Sequence, residues 1–303
     1  MDISEIRRKI FETGWQSWSP RKQSWLGIPN WNDPPMEDNY LPDKLGIRTS
    51  KKPATGWCSW YAFGPFITPE KILEQTVWFF EHKEIPIEYI LIDGGWQKWK
   101  DTKTTLTKVA GEISRLGFKP GIWLAPFNKK NKFKMGDLIK LGFELIKLDF
   151  LYRAYLIPKI TSQEAGDLIR EMFLEVKEKY PFVYTIACGC PLLPAINAVD
   201  SMRIGPDTID PILTSKIPIL NSLINSYKLH LVKNNIKRRL WTRRFWNLDP
   251  DVFVCRKSLG LNDKQLLSLQ KHIRLASGNV FLGDDMTKLG KDRIKKFVLP
   301  LFN

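Results

Sequence analysis

Phe143-Glu-Leu-Ile-Lys-Leu-Asp-Phe-Leu-Tyr152 is too apolar to lie anywhere but in the interior, and it takes a lysine and a carboxylate with it. Phe143, Leu145, Ile146, Leu148, Phe150 and Leu151 form a near-continuous run after Gly142, the pattern of a strand covered on both faces of a parallel sheet. Residues two apart in a strand point to one side, so Lys147 and Asp149 share a face near its C-terminal end. Two readings follow: a compensated ion pair in the core, or a catalytic carboxylate at the mouth of a barrel.

Outward from this strand, apolar strands alternate with amphipathic helices from Thr55 onward, which implies parallel pairing through right-handed crossovers. Strands are expected at 55–60, 87–93, 120–127, the quoted fourth, 182–187, 201–205, 245–246 and 279–283. Thr68-Pro69-Glu70 caps a helix with proline in its first turn, Thr161-Ser-Gln-Glu164 is a capping box, and Gly117 closes the helix before the third strand. Eight such units predict an α/β chain, a (β/α)8 TIM barrel over 53–303. Residues 1–52 read as a short irregular Trp-rich N-terminal cover around Gly14-Trp-Gln-Ser-Trp-Ser-Pro20. A length of 303 residues fits one such barrel, whose usual size is ~250.

The formal charge of +15, from 47 basic and 32 acidic residues, raises the question of nucleic acid. The lysines are scattered over helical stretches such as 129–134 and 233–239 with no reading motif, so a solvated surface is expected and no nucleic-acid partner. Cys58, Cys188, Cys190 and Cys255 lack metal-ligand spacing and read as reduced thiols of a cytoplasmic protein. Met1-Asp-Ile-Ser-Glu-Ile-Arg-Arg has no apolar leader core, and Gly189, Pro191 and Pro194 break the uncharged run 181–199, so no membrane association is expected.

In a barrel the strand C-termini collect at the mouth that holds the active site. Here they bring Trp60-Tyr61, Asp93, Trp123, Lys147 and Asp149, Cys188-Gly-Cys190, Arg203 with Asp207, Asn247 with Asp249 and Asp251, and Asp284-Asp285. His82, His230 and His272 all fall in helices and no serine sits in a nucleophile elbow, so the chemistry must rest on carboxylates. Aromatic rings beside paired carboxylates describe a sugar site, since a sugar ring offers an apolar face and hydroxyls. Lys147 and Arg203 among the acids would neutralise them in place of an ion, so neither metal nor cofactor is expected.

Thr55-Gly-Trp-Cys-Ser-Trp-Tyr61, Ile92-Asp-Gly-Gly-Trp-Gln97, Gly121-Ile-Trp-Leu-Ala-Pro-Phe127, Ile146-Lys-Leu-Asp-Phe-Leu-Tyr152, Ala198-Val-Asp-Ser-Met-Arg-Ile-Gly-Pro-Asp207 and Arg244-Phe-Trp-Asn-Leu-Asp-Pro-Asp251 resemble glycoside hydrolase family 36, the α-galactosidases and raffinose synthases. The likeness runs from Thr55 to about Asp285. It implies a retaining α-galactosidase acting on terminal α-galactosides, with Asp149 as nucleophile and Asp207 as general acid/base. It further implies that Asp93, Lys147, Trp123 and Arg203 hold the sugar, and that Trp15 lies in a loop over the pocket; Trp60 and Cys190, at strand ends, are counted with them. Lys147 is expected to keep Asp149 ionised, and Asp207 to have a raised pKa. An α-galactosyl transferase of the raffinose-synthase kind is an alternative, and a sugar-binding barrel without turnover is one of another class. Larger members carry flanking β domains, of which 1–52 is expected to keep only the Trp loop; that leaves the oligomeric state open.

One motif departs from the family, which reads Asp-Asp-Gly-Trp where this sequence has Asp93-Gly-Gly-Trp96. The resemblance implies that the contact to the 4-hydroxyl of galactose is kept and that to the 6-hydroxyl weakened. Asp285 or Asp101 standing in for the lost acid is the competing expectation.

Overall fold

The computed structural model describes residues 2–17, 40, 44–129, 131–209 and 218–303. Helix α1 (Ile3–Thr13) corrects the expectation of an irregular start. Asp2 caps it by accepting from the Glu5 amide, Gly14 ends it, and Ile6 and Ile10, one turn apart, are buried in the same core as the strands.

From β1 (Thr55–Cys58) the chain runs through α2 (Trp60–Phe63), α3 (Pro69–Glu81), β2 (Tyr89–Ile92), α4 (Thr102–Arg115), β3 (Lys119–Leu124), α5 (Met135–Lys140) and β4 (Leu145–Leu148). It continues as α6 (Ser162–Lys179), β5 (Tyr184–Ala187), α7 (Leu192–Ala195), β6 (Ser201–Arg203), α8 (Pro218–Arg239), β7 (Asn247–Asp249), β8 (Val252–Phe253), α9 (Asp263–Ala276), β9 (Val280–Leu282) and α10 (Lys291–Arg293). Capping follows the sequence signals: Thr68 accepts from the Lys71 amide, and Thr161 with Glu164 forms a reciprocal capping box.

The nine strands make one parallel sheet in the order β7-β6-β5-β4-β3-β2-β1-β9-β8. The sheet curls round on itself. Tyr184 of β5 donates its hydroxyl to Asn279 Oδ1, just before β9, at 2.8 Å, although four strands lie between them in that order. The two terminal strands, β7 and β8, are successive pieces of one stretch, separated by Pro250 and Asp251. The Asn279 amide donates to Leu248 O at 2.7 Å across this seam, and a Cβ on Gly278 would lie 1.9 Å from the same oxygen, so only glycine fits there.

Strand seven was expected at Phe245 and Trp246 and lies at Asn247–Asp249 instead, with β8 unforeseen. Asn247 and Asp249 are polar yet buried; the partners of Asn247 come from elsewhere, Arg48, Lys51 O and the Tyr184 hydroxyl. Among the described residues no helix is long and apolar enough to cross a membrane, and all four cysteines are free and buried.

Candidate active site

Register decides where Lys147 goes. Ile92 pairs with Ile122 and Trp123 with Lys147, so Asp93, the residue after Ile92, stands in one row with Trp123 and Lys147 across three strands. Two strand spacings are about 9–10 Å, within reach of a lysine that bends toward a carboxylate. Lys147 Nζ lies 2.8 Å from Asp93 Oδ2 with both side chains buried. Asp93 also accepts from the Gly94 amide at 2.7 Å and the Cys58 thiol at 3.4 Å. Burial alone would push the Lys147 ammonium down, but Asp93 with Cys58 and Cys188 together outweigh it and hold Lys147 well above the ordinary lysine value. The expectation that Lys147 serves Asp149 is therefore corrected: its ion pair is with Asp93.

Asp149 lies one residue past β4. Its Oδ2 accepts from Trp123 Nε1 at 3.1 Å and its Oδ1 from the Phe150 amide at 2.6 Å. Phe150 is left-handed, with φ of 54°, a conformation that costs a non-glycine residue about 1–3 kcal/mol and turns the chain sharply at the strand end.

Asp207 follows β6. Arg203, fully buried in that strand, places Nη2 2.9 Å from Asp207 Oδ1 and 2.8 Å from Asp251 Oδ2. A cavity of about 240 Å³ is lined by Asp149, Phe150, Cys188, Arg203, Pro206, Asp207 and Lys228. The Asp207 side chain stays about half exposed (53%). Its withdrawal from water pushes its pKa up, but Arg203, Lys147 and Lys228 outweigh that and hold it below the ordinary carboxylate value. This corrects the expected raised pKa, because three cations face Asp207 in the ligand-free molecule. The raised carboxyl is Asp251, pushed up to about 6 by burial, with Arg203 opposing and Asp207 adding to the rise.

The remaining candidates stand around the cavity without lining it. Trp60 and Trp123 flank Gly94: a Cβ there would lie 3.7 Å from one ring and 3.9 Å from the other. Trp15 is buried edge-on against Tyr155 with centroids 5.3 Å apart. Its loop docks on the segment after β5 through Ser17 N–H to Cys190 O and Leu192 N–H to Trp15 O, both 2.8 Å. Cys190 is wholly buried, and Cys188 takes the cavity wall in its place. Trp18, the second ring of that loop, lies outside the described residues. Asp285 is tied to Lys288, Gln75 and Thr287, and Asp101 is exposed beside α4, so neither lines the cavity in place of the missing acid. Tyr61, Cys188 and Asp251 were expected at the mouth without a role, and Phe150 and Lys228 were not among the site candidates. Asp251 carried a signal, the repeated acid of Asp249-Pro-Asp251 after a strand; Lys228, in a helix of ordinary basic composition, carried none.

Fold and site together define a class: a parallel α/β protein with two carboxyl groups in one cavity at the C-terminal ends of its strands, one of them held by an arginine. By sequence, residues 50–186 match the family described as raffinose synthase or seed imbibition protein Sip1. By structure, an α-galactosidase from Thermus thermophilus superposes with a TM-score of 0.67 at 20% identity, over 85% of this chain and 63% of its own. α-Galactosidase I from Mortierella vinacea gives 0.57 at 16% identity over 81% and 70% of the two chains. The family-36 α-galactosidase AgaA from Geobacillus stearothermophilus gives 0.52 at 15% over 82% and 41%. The chain thus resembles a family-36 catalytic domain, and it spans less than two thirds of the length of the Thermus enzyme.

Proposed function

We propose that this chain is a (β/α)8 barrel with an N-terminal cover over 1–52, and that it hydrolyses terminal α-galactosides with retention. The observation that carries the reading is the joint presence of Asp149 and Asp207 on one small cavity beside Arg203. In this mechanism Asp149 attacks the anomeric carbon while Asp207 protonates the leaving oxygen, and Asp207 then deprotonates the water that releases the sugar. Retention needs the two carboxyl groups about 5–5.5 Å apart across a bound sugar. Asp207, held acidic at rest, gains its proton when substrate excludes water and a sugar hydroxyl draws Arg203 away from it. Esterification of Asp149 then removes a negative charge and returns Asp207 to the basic form.

The Thermus thermophilus protein was solved with p-nitrophenyl α-D-galactopyranoside and with stachyose, and both are the first substrates to offer this chain. Release of p-nitrophenol with initial β-inversion excluded by NMR of the first-formed sugar supports the reading; no turnover of any α-galactoside sinks it. Because free-enzyme kcat/KM requires protonated Asp207, it should be highest on the acid side of neutrality. Transfer is the second reading, favoured by the raffinose-synthase match over 50–186, and sucrose as acceptor decides between the two.

Gly94 sets a further expectation. Its φ is not left-handed and a Cβ meets only ordinary contacts, so aspartate can be accommodated between Trp60 and Trp123. A charged acceptor to a hydroxyl contributes about 1.5–3 kcal/mol, or ~10- to 100-fold. Gly94→Asp should raise the kcat/KM ratio of aryl α-galactoside to aryl β-L-arabinopyranoside, which lacks C6, by that factor. A strong native preference for galactose that Gly94→Asp leaves unchanged would end this reading.

A further inference from the structure

Asp251 lines no part of the cavity, yet one of its oxygens ties together the parts that hold Asp207. Asp251 Oδ2 accepts from the Tyr61 hydroxyl at 2.5 Å, the Thr208 amide at 2.7 Å, the Thr208 hydroxyl at 2.9 Å and Arg203 Nη2 at 2.8 Å. Thr208 is the residue after Asp207, and the same Arg203 nitrogen meets Asp207 Oδ1 at 2.9 Å. The backbone beside Asp207 and the cation against its carboxyl therefore share one anchor. That anchor is itself fixed. Asp251 is buried at the seam between β7 and β8 with φ of 75°, a left-handed backbone that few side chains other than Asn and Asp adopt.

We propose that Asp251 is the positioning residue of Asp207, holding its loop through Thr208 and fixing the place of Arg203 against its carboxyl. This rests on the reading of Asp207 as the general acid/base. The charged and titratable groups facing Asp251 are Arg203 on β6, Asp207 beyond it, Lys147 on β4, Asp249 on β7 and the Tyr61 phenol on α2. At the low pH where Asp207 takes up its proton Asp251 is already neutral, so Asp251 acts on Asp207 through geometry: it holds the Thr208 loop and the Arg203 fork in place.

Asp251→Asn keeps size and suits the left-handed backbone, so it is the variant of choice. Three results are expected. The alkaline limb of the kcat/KM profile stays in place, because Asp251 is already neutral where Asp207 takes up its proton. At neutral pH kcat falls about 10-fold or more with KM changed far less, because proton transfer is impaired and sugar binding is not. The loss is larger for stachyose than for p-nitrophenyl α-galactoside, whose leaving group needs little protonation. Amide hydrogen exchange at Thr208, whose N–H is bonded to Asp251, should quicken about 3-fold or more in D251N, whether or not the protein turns over. Unchanged exchange at Thr208 in folded D251N overturns the proposal even if the enzyme is active. Quickened exchange with no activity in the wild type leaves the positioning role standing and defeats the hydrolase reading. If D251N does not fold, Tyr61→Phe removes one donor to Asp251; a smaller rise in exchange at Thr208 supports the proposal and no rise overturns it.

Discussion

Asp149→Ala should lower kcat on p-nitrophenyl α-galactoside by about 10⁴-fold or more, the scale on which removal of a covalent nucleophile acts. Without the carboxylate there is no glycosyl-enzyme, and water has no second activated route to the anomeric carbon. The fold should survive. Asp149 lies beyond the end of β4, half-buried, and gives up only its bonds to Trp123 Nε1 and the Phe150 amide, which water in the cavity can replace. The stability cost is then about 0.5–1.5 kcal/mol, small against the catalytic loss. Added azide separates a lost nucleophile from a damaged site, because it can attack from the face that Asp149 vacates and yield β-galactosyl azide. Wild-type turnover by the variant would remove Asp149 from the mechanism. So would a loss of activity accompanied by a loss of fold of equal size.

Some of this was legible in the sequence, and the reasons are local. Leu145 to Leu148, Tyr89 to Ile92 and Tyr184 to Ala187 are apolar runs bounded by turn residues, and a doubly covered parallel strand has no other way to look. The capping signals at Thr68 and Thr161 depend on three or four neighbouring residues and were equally readable. Helix α1 was missed because Arg7, Arg8 and Lys9 crowd between its buried isoleucines and leave only a narrow apolar stripe. The seam was missed because β7 and the turn after it bury Asn247, Asp249 and Asp251, polar residues that only distant partners make tolerable. At the candidate site, motif and position named Asp149, Asp207 and Arg203, which line one cavity, but not their electrostatics. Which acid Lys147 meets is fixed by a row across β2, β3 and β4, and the acidity of Asp207 depends on Lys228 from α8. Spacing along the chain carries no information about either.

The Lys147–Asp93 pair should prove the costliest single contact in the site to break. Both side chains are buried, so Lys147→Met leaves a carboxylate in the interior with the Gly94 amide and the Cys58 thiol as its remaining donors and no counter-charge. Breaking one side of a buried pair costs about 3–5 kcal/mol, a large share of the ~5–15 kcal/mol that holds a domain folded. Lys147→Met is therefore expected to lower the urea midpoint severely, and Asp93→Asn in the same chain to recover part of the loss, since an amide tolerates burial without a cation. The sign of the pH dependence is fixed by Lys147, whose pKa is raised on folding. A group raised on folding contributes its full stability below its unfolded value, about 10.4 for lysine, and loses it only as pH climbs through the higher folded value. The gap between wild type and Lys147→Met should accordingly be flat from roughly pH 6 to 9 and close only in strong alkali. A variant as stable as the wild type would mean that the contact of Lys147 with Asp93 is not a stabilising ion pair at all.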